Sequence, residues 1–82
     1  MAIISTVDQV LLELTRGQAR FEVQAGTVRA ALRQIDDRHP GVLEKVEAGM
    51  AIAIDGEIHQ DGLLEPIGPD SEVVLIPRIS GG

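Results

Sequence analysis

The spacing of apolar positions changes along the chain, and each change marks an element. Ala2-Ile3-Ile4-Ser5-Thr6-Val7 is rich in β-branched residues and predicts a first strand. Val10-Leu11-Leu12-Glu13-Leu14 fits either a continuation of that strand or a short helical turn, because so few residues do not fix a period. Thr15-Arg16-Gly17-Gln18 is a turn signal. After it Ala19, Phe21 and Val23 alternate with Arg20, Glu22 and Gln24, which predicts a half-buried strand folded back on the first with Phe21, the only aromatic residue, facing the core. From Val28 the period lengthens. Val28, Ala31, Leu32 and Ile35 recur at helical intervals while Arg29, Arg33, Asp36 and Asp37 fall on an outward, solvated face. Thr27 stands at the N-cap, although Ala30 occupies the place where a capping box has Glu. His39-Pro40-Gly41 stops the helix, since proline disfavours α conformation in the residue before it. Val42-Leu43-Glu44-Lys45-Val46 then predicts a short second helical turn on the same core.

Met50-Ala51-Ile52-Ala53-Ile54 predicts the third strand, and Asp55-Gly56 is a strong hairpin signal leading to a brief return strand, Glu57-Ile58-His59. A loop from Asp61 to Ile67 carries apolar residues, and Gly68-Pro69-Asp70-Ser71 turns the chain into a last strand, Glu72 to Pro77. The order predicts an α+β fold: a mixed sheet of about four to five strands with one main helix across one face. Residues 1–77 form the domain; residues 78–82 are expected to be a flexible tail.

Composition narrows the chemistry. Thirteen acidic against seven basic residues give a net charge of −6, and the six arginines and Lys45 form no cluster, which argues against nucleic acid as a partner. Without cysteine there is no disulfide, thiolate nucleophile or zinc-thiolate site. No apolar run approaches the roughly 18 residues that span a bilayer, and the start lacks the basic region of a signal peptide, so the expectation is a cytoplasmic protein with no membrane partner. His39 and His59 stand apart, with no carboxylate at ligand spacing, and read as surface or capping residues with no metal. Asp55 reads as a turn residue. Neither GxGxxG nor GxxxxGK[ST] occurs, so no phosphate loop is present. A domain of this size buries roughly 60% of its unfolded surface, which leaves little material for a deep cleft. The chain is expected to serve another protein's active site instead of housing one, with no bound cofactor.

The last residues, Ser80-Gly81-Gly82, directly follow the final strand. Glycine contributes no side chain to bury and loses the most backbone entropy on ordering, so the pair fits an unpacked chain end. It also fits a tip that must pass a narrow channel. Thr27-Val28-Arg29-Ala30-Ala31-Leu32, Pro40-Gly41-Val42-Leu43, Ile54-Asp55-Gly56-Glu57, Pro69-Asp70-Ser71-Glu72-Val73 and Ile76-Pro77-Arg78-Ile79-Ser80-Gly81-Gly82 together resemble the ThiS/MoaD family of ubiquitin-like sulfur carriers. The order and spacing hold from about Phe21 to the end. Two departures concern the branch: the aromatics that often precede a segment like Leu12-Glu13-Leu14 are absent, and the usual acidic turn before the last strand is Pro69-Asp70-Ser71-Glu72.

The resemblance implies a β-grasp fold and a carrier that is not itself an enzyme. It implies that a ubiquitin-activating-like adenylyltransferase, consuming ATP, forms an acyl-adenylate on Gly82, and that a persulfide then displaces AMP to leave a thiocarboxylate. Gly81 gives clearance; Arg78, Ile79 and Ser80 form the arm that enters a partner. The implied acceptor is a sulfur-accepting synthase similar to the large subunit of molybdopterin synthase. Thiamine, cysteine or tRNA sulfur transfer, or conjugation to lysines, are the alternatives, and a β-grasp binding module whose glycines are never activated is the reading of another class. Activation is needed because a glycine carboxylate, with a pKa of about 3.3–3.7, is a poor electrophile at neutral pH. A tail alone does not hold register, so an apolar docking surface is expected on the sheet face opposite the helix, drawn from positions such as Ile52, Ile54, Leu63, Leu75 and Ile79.

Overall fold

A computed structural model of the chain describes residues 1–60 and 62–77. The first strand, β1 (Ala2–Thr6), is followed by helix α1 (Gln9–Leu14), which settles the open choice at Val10–Leu14 in favour of helix. Asp8 decides it: its carboxylate accepts from the Leu11 N–H at 3.0 Å, satisfying a donor that a helix start would leave bare. Strand β2 (Arg20–Val23) returns antiparallel to β1, pairing Ile4 with Phe21 and Ala2 with Val23. Ala19 lies outside the strand and is exposed, contrary to the alternation, although its carbonyl still accepts from the Thr6 N–H at 3.0 Å. Phe21 is partly buried against the core and meets His39 edge-on, the ring centroids 5.7 Å apart.

Helix α2 (Val28–Arg38) buries Val28, Ala31, Leu32 and Ile35, and the Thr27 hydroxyl caps it by accepting from the Ala30 N–H at 3.2 Å. Helix α3 (Val42–Glu47) follows across a corner at Gly41, whose φ of 106° requires a residue without Cβ. Asp36 is not simply solvated. Its Oδ1 accepts from the N–H groups of Gly41 at 3.0 Å and Leu43 at 3.1 Å, so it fixes the angle between the two helices.

Strand β3 (Met50–Ile54) and β4 (Glu57–His59) form the expected hairpin, with Asp55 and Gly56 at φ 49° and 85°, the left-handed pair of a type I′ turn. The apolar loop contains a 3-10 turn, Gly62–Leu64, and β5 (Glu72–Pro77) completes the sheet. The sheet order is β2-β1-β5-β3-β4; β5 runs parallel to β1 and antiparallel to β3. This is the expected mixed sheet with α2 as its main helix. Ala2, Ile4, Met50, Ile52, Val73 and Leu75 point from it into one core with Leu11, Leu32 and Val46.

Thr6 joins the two chain ends across this sheet. Its buried hydroxyl donates to the Leu75 carbonyl at 3.0 Å and accepts from the Asp8 N–H at 3.1 Å, tying the last strand to the start of α1. Thr6→Val keeps the shape and removes both bonds. The expected result is a loss of about 1–2 kcal/mol in denaturant unfolding with no change in secondary structure.

Candidate functional site

Strand β5 is the middle strand of the sheet, flanked by β1 and β3. Leu75 pairs with both Thr6 and Ile52, and the strand's last residue, Pro77, pairs with Met50, so β5 is held from two sides as far as Leu75 and by β3 at the base of the tail. The proposed carrier residues Gly82 and Gly81, and the arm Arg78, Ile79 and Ser80, lie outside the described residues.

The two faces of the sheet differ in what they present. Because side chains alternate along a strand, Val73 and Leu75 lie inward while Glu72, Val74 and Ile76 lie on the face away from the helices. Register carries that alternation across the sheet: Val74 pairs with Ser5 and with Ala53, Ala53 with Ile58, and Ala51 with Ile76. Ile58 and Val74 are 62% and 37% exposed, Ile3 and Ile76 are half-buried, and Ala51 and Ala53 form a low floor between them. Ile3, Ser5, Arg20, Glu72 and Val74 line one shallow depression, so charged groups border the apolar centre.

This corrects the expected composition of the docking surface. Ile52 and Leu75 are 1% and 2% exposed, and Ile54 and Leu63 are partly buried against the core. Ile79 lies outside the described residues. The apolar residues on the face away from the helices are another set, Ile3, Ile58, Val74 and Ile76, because Met50, Ile52 and Ile54 share the helix side and the alanines between them do not. Val7, 80% exposed just beyond Thr6, was not singled out by the sequence pattern and sits at the same end of the sheet as Pro77.

The other polar groups have structural duties. Nδ1 of His59 lies 3.5 Å from Glu65 Oε1, a carboxylate neighbour that sequence spacing did not indicate, and the contact ties β4 to the following loop. His39 caps α2, its N–H donating to the Ile35 carbonyl. Asp55 bridges to β5: its Oδ1 accepts from the Glu72 N–H at 2.9 Å and its own N–H donates to the Glu72 carbonyl at 2.8 Å. Among the described residues no group of His, Cys, Asp and Glu could hold a metal ion, and no helix is long and apolar enough to cross a membrane.

With the strand order and tail base in place, comparison with known proteins is decisive for the family. The ThiS family profile matches residues 9–82. The chain belongs to the ThiS family, the ubiquitin-like sulfur carriers. Its fold is the β-grasp. A chain in the crystal structure of the Amycolatopsis orientalis BexX/CysO complex superposes with a TM-score of 0.83 at 18% identity, covering 100% of both chains. Mycobacterium tuberculosis CysO, described as an antigen, gives a TM-score of 0.82 at 18% identity over 96% of this chain and 100% of that one. The solution structure of small archaeal modifier protein 1 (SAMP1) from Methanosarcina acetivorans gives 0.78 at 20% identity over 99% and 95%. At these identities the likeness is one of fold. No match was found among curated proteins.

Ile58 is 62% exposed on the edge strand β4 and lies outside the core, so replacing it with Thr, which keeps the β-branched shape, is expected to change unfolding free energy by no more than about 0.5 kcal/mol. A much larger loss in thermal or denaturant unfolding would show that this face is part of the folding core instead of a surface held open.

Proposed function

We propose that this ThiS-family domain carries sulfur on Gly82. An adenylyltransferase of the ubiquitin-activating type joins the glycine carboxyl to AMP, and a persulfide replaces AMP to give a thiocarboxylate. A partner synthase then takes the sulfur. The observation that supports this most is the placement of β5, a central strand paired with both β1 and β3, whose last residue Pro77 directly precedes the tail in sequence. Five further residues, at about 3.3–3.6 Å each, can span roughly 17 Å. Such an arm enters a buried site while the domain docks outside.

The open sheet face is the docking surface in this reading. Val74 and Ile76 of its apolar centre lie on β5, the strand that leads into the tail, and Ile58 lies on β4, so seating the face fixes the strand from which the arm starts. An acidic domain of net charge −6 further suits a partner with a basic rim, since complementary charge speeds encounter. ATP is consumed by the activating partner, and the domain binds no cofactor of its own.

For the acceptor, the sequence resemblance favours the large subunit of molybdopterin synthase. A second reading, a role outside molybdopterin synthesis or as a protein modifier, is favoured by the end-to-end fold match to CysO and SAMP1. Supplying each acceptor in turn with the loaded domain separates these readings.

Two outcomes are expected. Incubation with ATP, an activating enzyme and a sulfur donor raises the intact mass by the difference between sulfur and oxygen; an unchanged mass supports an inert binding module. Deleting Gly82, or replacing Gly81 with a bulky residue, abolishes transfer with no more than about 0.5 kcal/mol change in stability, because glycine has no side chain to bury. Normal transfer by either variant overturns the assignment of the carrier atom.

A further inference from the structure

Leu64 is 76% exposed, more open to solvent than any other described large apolar residue except Val7. A lone surface leucine needs no explanation, but this one is held out on a fixed turn. Gly62, two residues earlier, is packed so closely that a Cβ there would stand 3.0 Å from the His59 Cβ and 3.2 Å from the Ile52 Cβ, which seats the 3-10 turn directly on β3 and β4. The Glu65 N–H donates to the Gly62 carbonyl at 3.1 Å, and the Glu65 carbonyl accepts from the Val28 N–H at 3.1 Å, so the residue after Leu64 is tied to the start of α2. The side chain thus projects from a backbone pinned on both sides.

Beside it lies a groove of about 330 Å³ between this turn and the end of α3. Buried Val46, Met50 and Ile52 line it together with the more open Ala48, Leu63 and Leu64. A closed cavity of about 150 Å³ already admits a benzene ring, so the groove has room for a leucine side chain. Knob and hole therefore lie side by side on one surface. That is what a two-fold contact between identical patches requires, since each copy then inserts its knob into the other's hole.

The charges agree. Among the described residues Glu47 is the one charged side chain lining the groove, and Arg29 stands 3.8 Å from it, both partly open to solvent. One cation and one anion at a shared rim are self-complementary, because a two-fold pairing sets each Arg29 against the other copy's Glu47. The open sheet face has the opposite balance. Glu22 and Glu72 flank Ile3 in one register row and Asp55 is hydrogen-bonded to Glu72, so three carboxylates against the single cation Arg20 border it and a second copy there brings like charge to like. We propose that the groove between α3 and the 3-10 turn is a homodimer interface, filled by Leu64 of a second copy and rimmed by crossed Arg29–Glu47 pairs. Met50 and Ile52 belong to the helix side of the sheet, so the dimer leaves the open face free for another protein. The inference stands whether or not the tail carries sulfur.

The test is sedimentation of the full chain over a concentration series. One inserted side chain per copy makes a small interface, so the dissociation constant is expected to lie above about 1 µM. The mass should rise from 8.8 kDa to twice that value and no further. Leu64→Gln should weaken association at least about tenfold and leave unfolding unchanged, since Leu64 lies outside the core. Arg29→Glu and Glu47→Arg should each weaken it, and the double exchange should restore it. Ile58→Thr, on the open sheet face, should leave it as it was. A chain that stays monomeric up to about 1 mM would overturn the proposal and leave the groove to a different protein. A dimer unmoved by Leu64→Gln, or charge exchanges that the double variant does not rescue, would overturn it equally. Loss of the dimer in Ile58→Thr would move the second copy to the sheet face, and growth beyond two copies would exclude a closed two-fold contact.

Discussion

The parallel pairing of β1 with β5 is the constraint on which the rest depends. Two segments 69 residues apart at Thr6 and Leu75 must meet before the sheet is complete, and the connection between them contains most of the core. Parallel neighbours cannot be joined by a tight turn, so the intervening chain has to cross the sheet, and α2 and α3 supply that crossing. Once β5 is inserted between β1 and β3, the inward residues Val73 and Leu75 meet the buried faces of both hairpins. Closing this gap therefore organises the core and positions the tail base in one step.

That geometry gives the two faces different tasks. The helix side is filled by branched and long side chains, Ile4, Leu11, Leu32 and Ile52 among them, all essentially excluded from water. Across the sheet, Ala51 and Ala53 keep the floor low while Val74 and Ile58 stand above it. Apolar surface of that shape offers a partner area to cover without weakening the fold that carries it, which is the usual economy of an interface built from a sheet.

Much of this was legible in the sequence because the strong signals are local. The helix of Val28, Ala31, Leu32 and Ile35, its Thr27 cap, the Asp55-Gly56 turn and the limits of β3, β4 and β5 each follow from spacing or from one residue's conformational preference. What was not legible depended on pairs distant in the chain. Asp36 looked solvated because its partners, Gly41 and Leu43, become neighbours only after the helix corner forms. His59 and Glu65 meet through a loop whose path has no period. The continuous apolar run Val73-Val74-Leu75-Ile76 marks the last strand without showing which of its residues face the helices; register with β1 and β3 places Leu75 inside and Val74 outside. The family came from the assembly of weak motifs, and the residues that would carry sulfur lie in the tail beyond the described domain.

The outer strands of the sheet carry a consequence for how the protein survives at high concentration. β2 and β4 are the edges, and both offer unpaired backbone groups to any passing strand. β2 is four residues long with exposed Arg20 and Glu22, and β4 is three residues long beginning at an exposed Glu57. Short, charged edges are poor templates for strand addition, so neighbouring molecules find little purchase for growing a continuous sheet. The domain can thus expose an adhesive face in crowded surroundings while its borders resist polymerisation, and colloidal stability is secured at the rim instead of by removing the apolar surface.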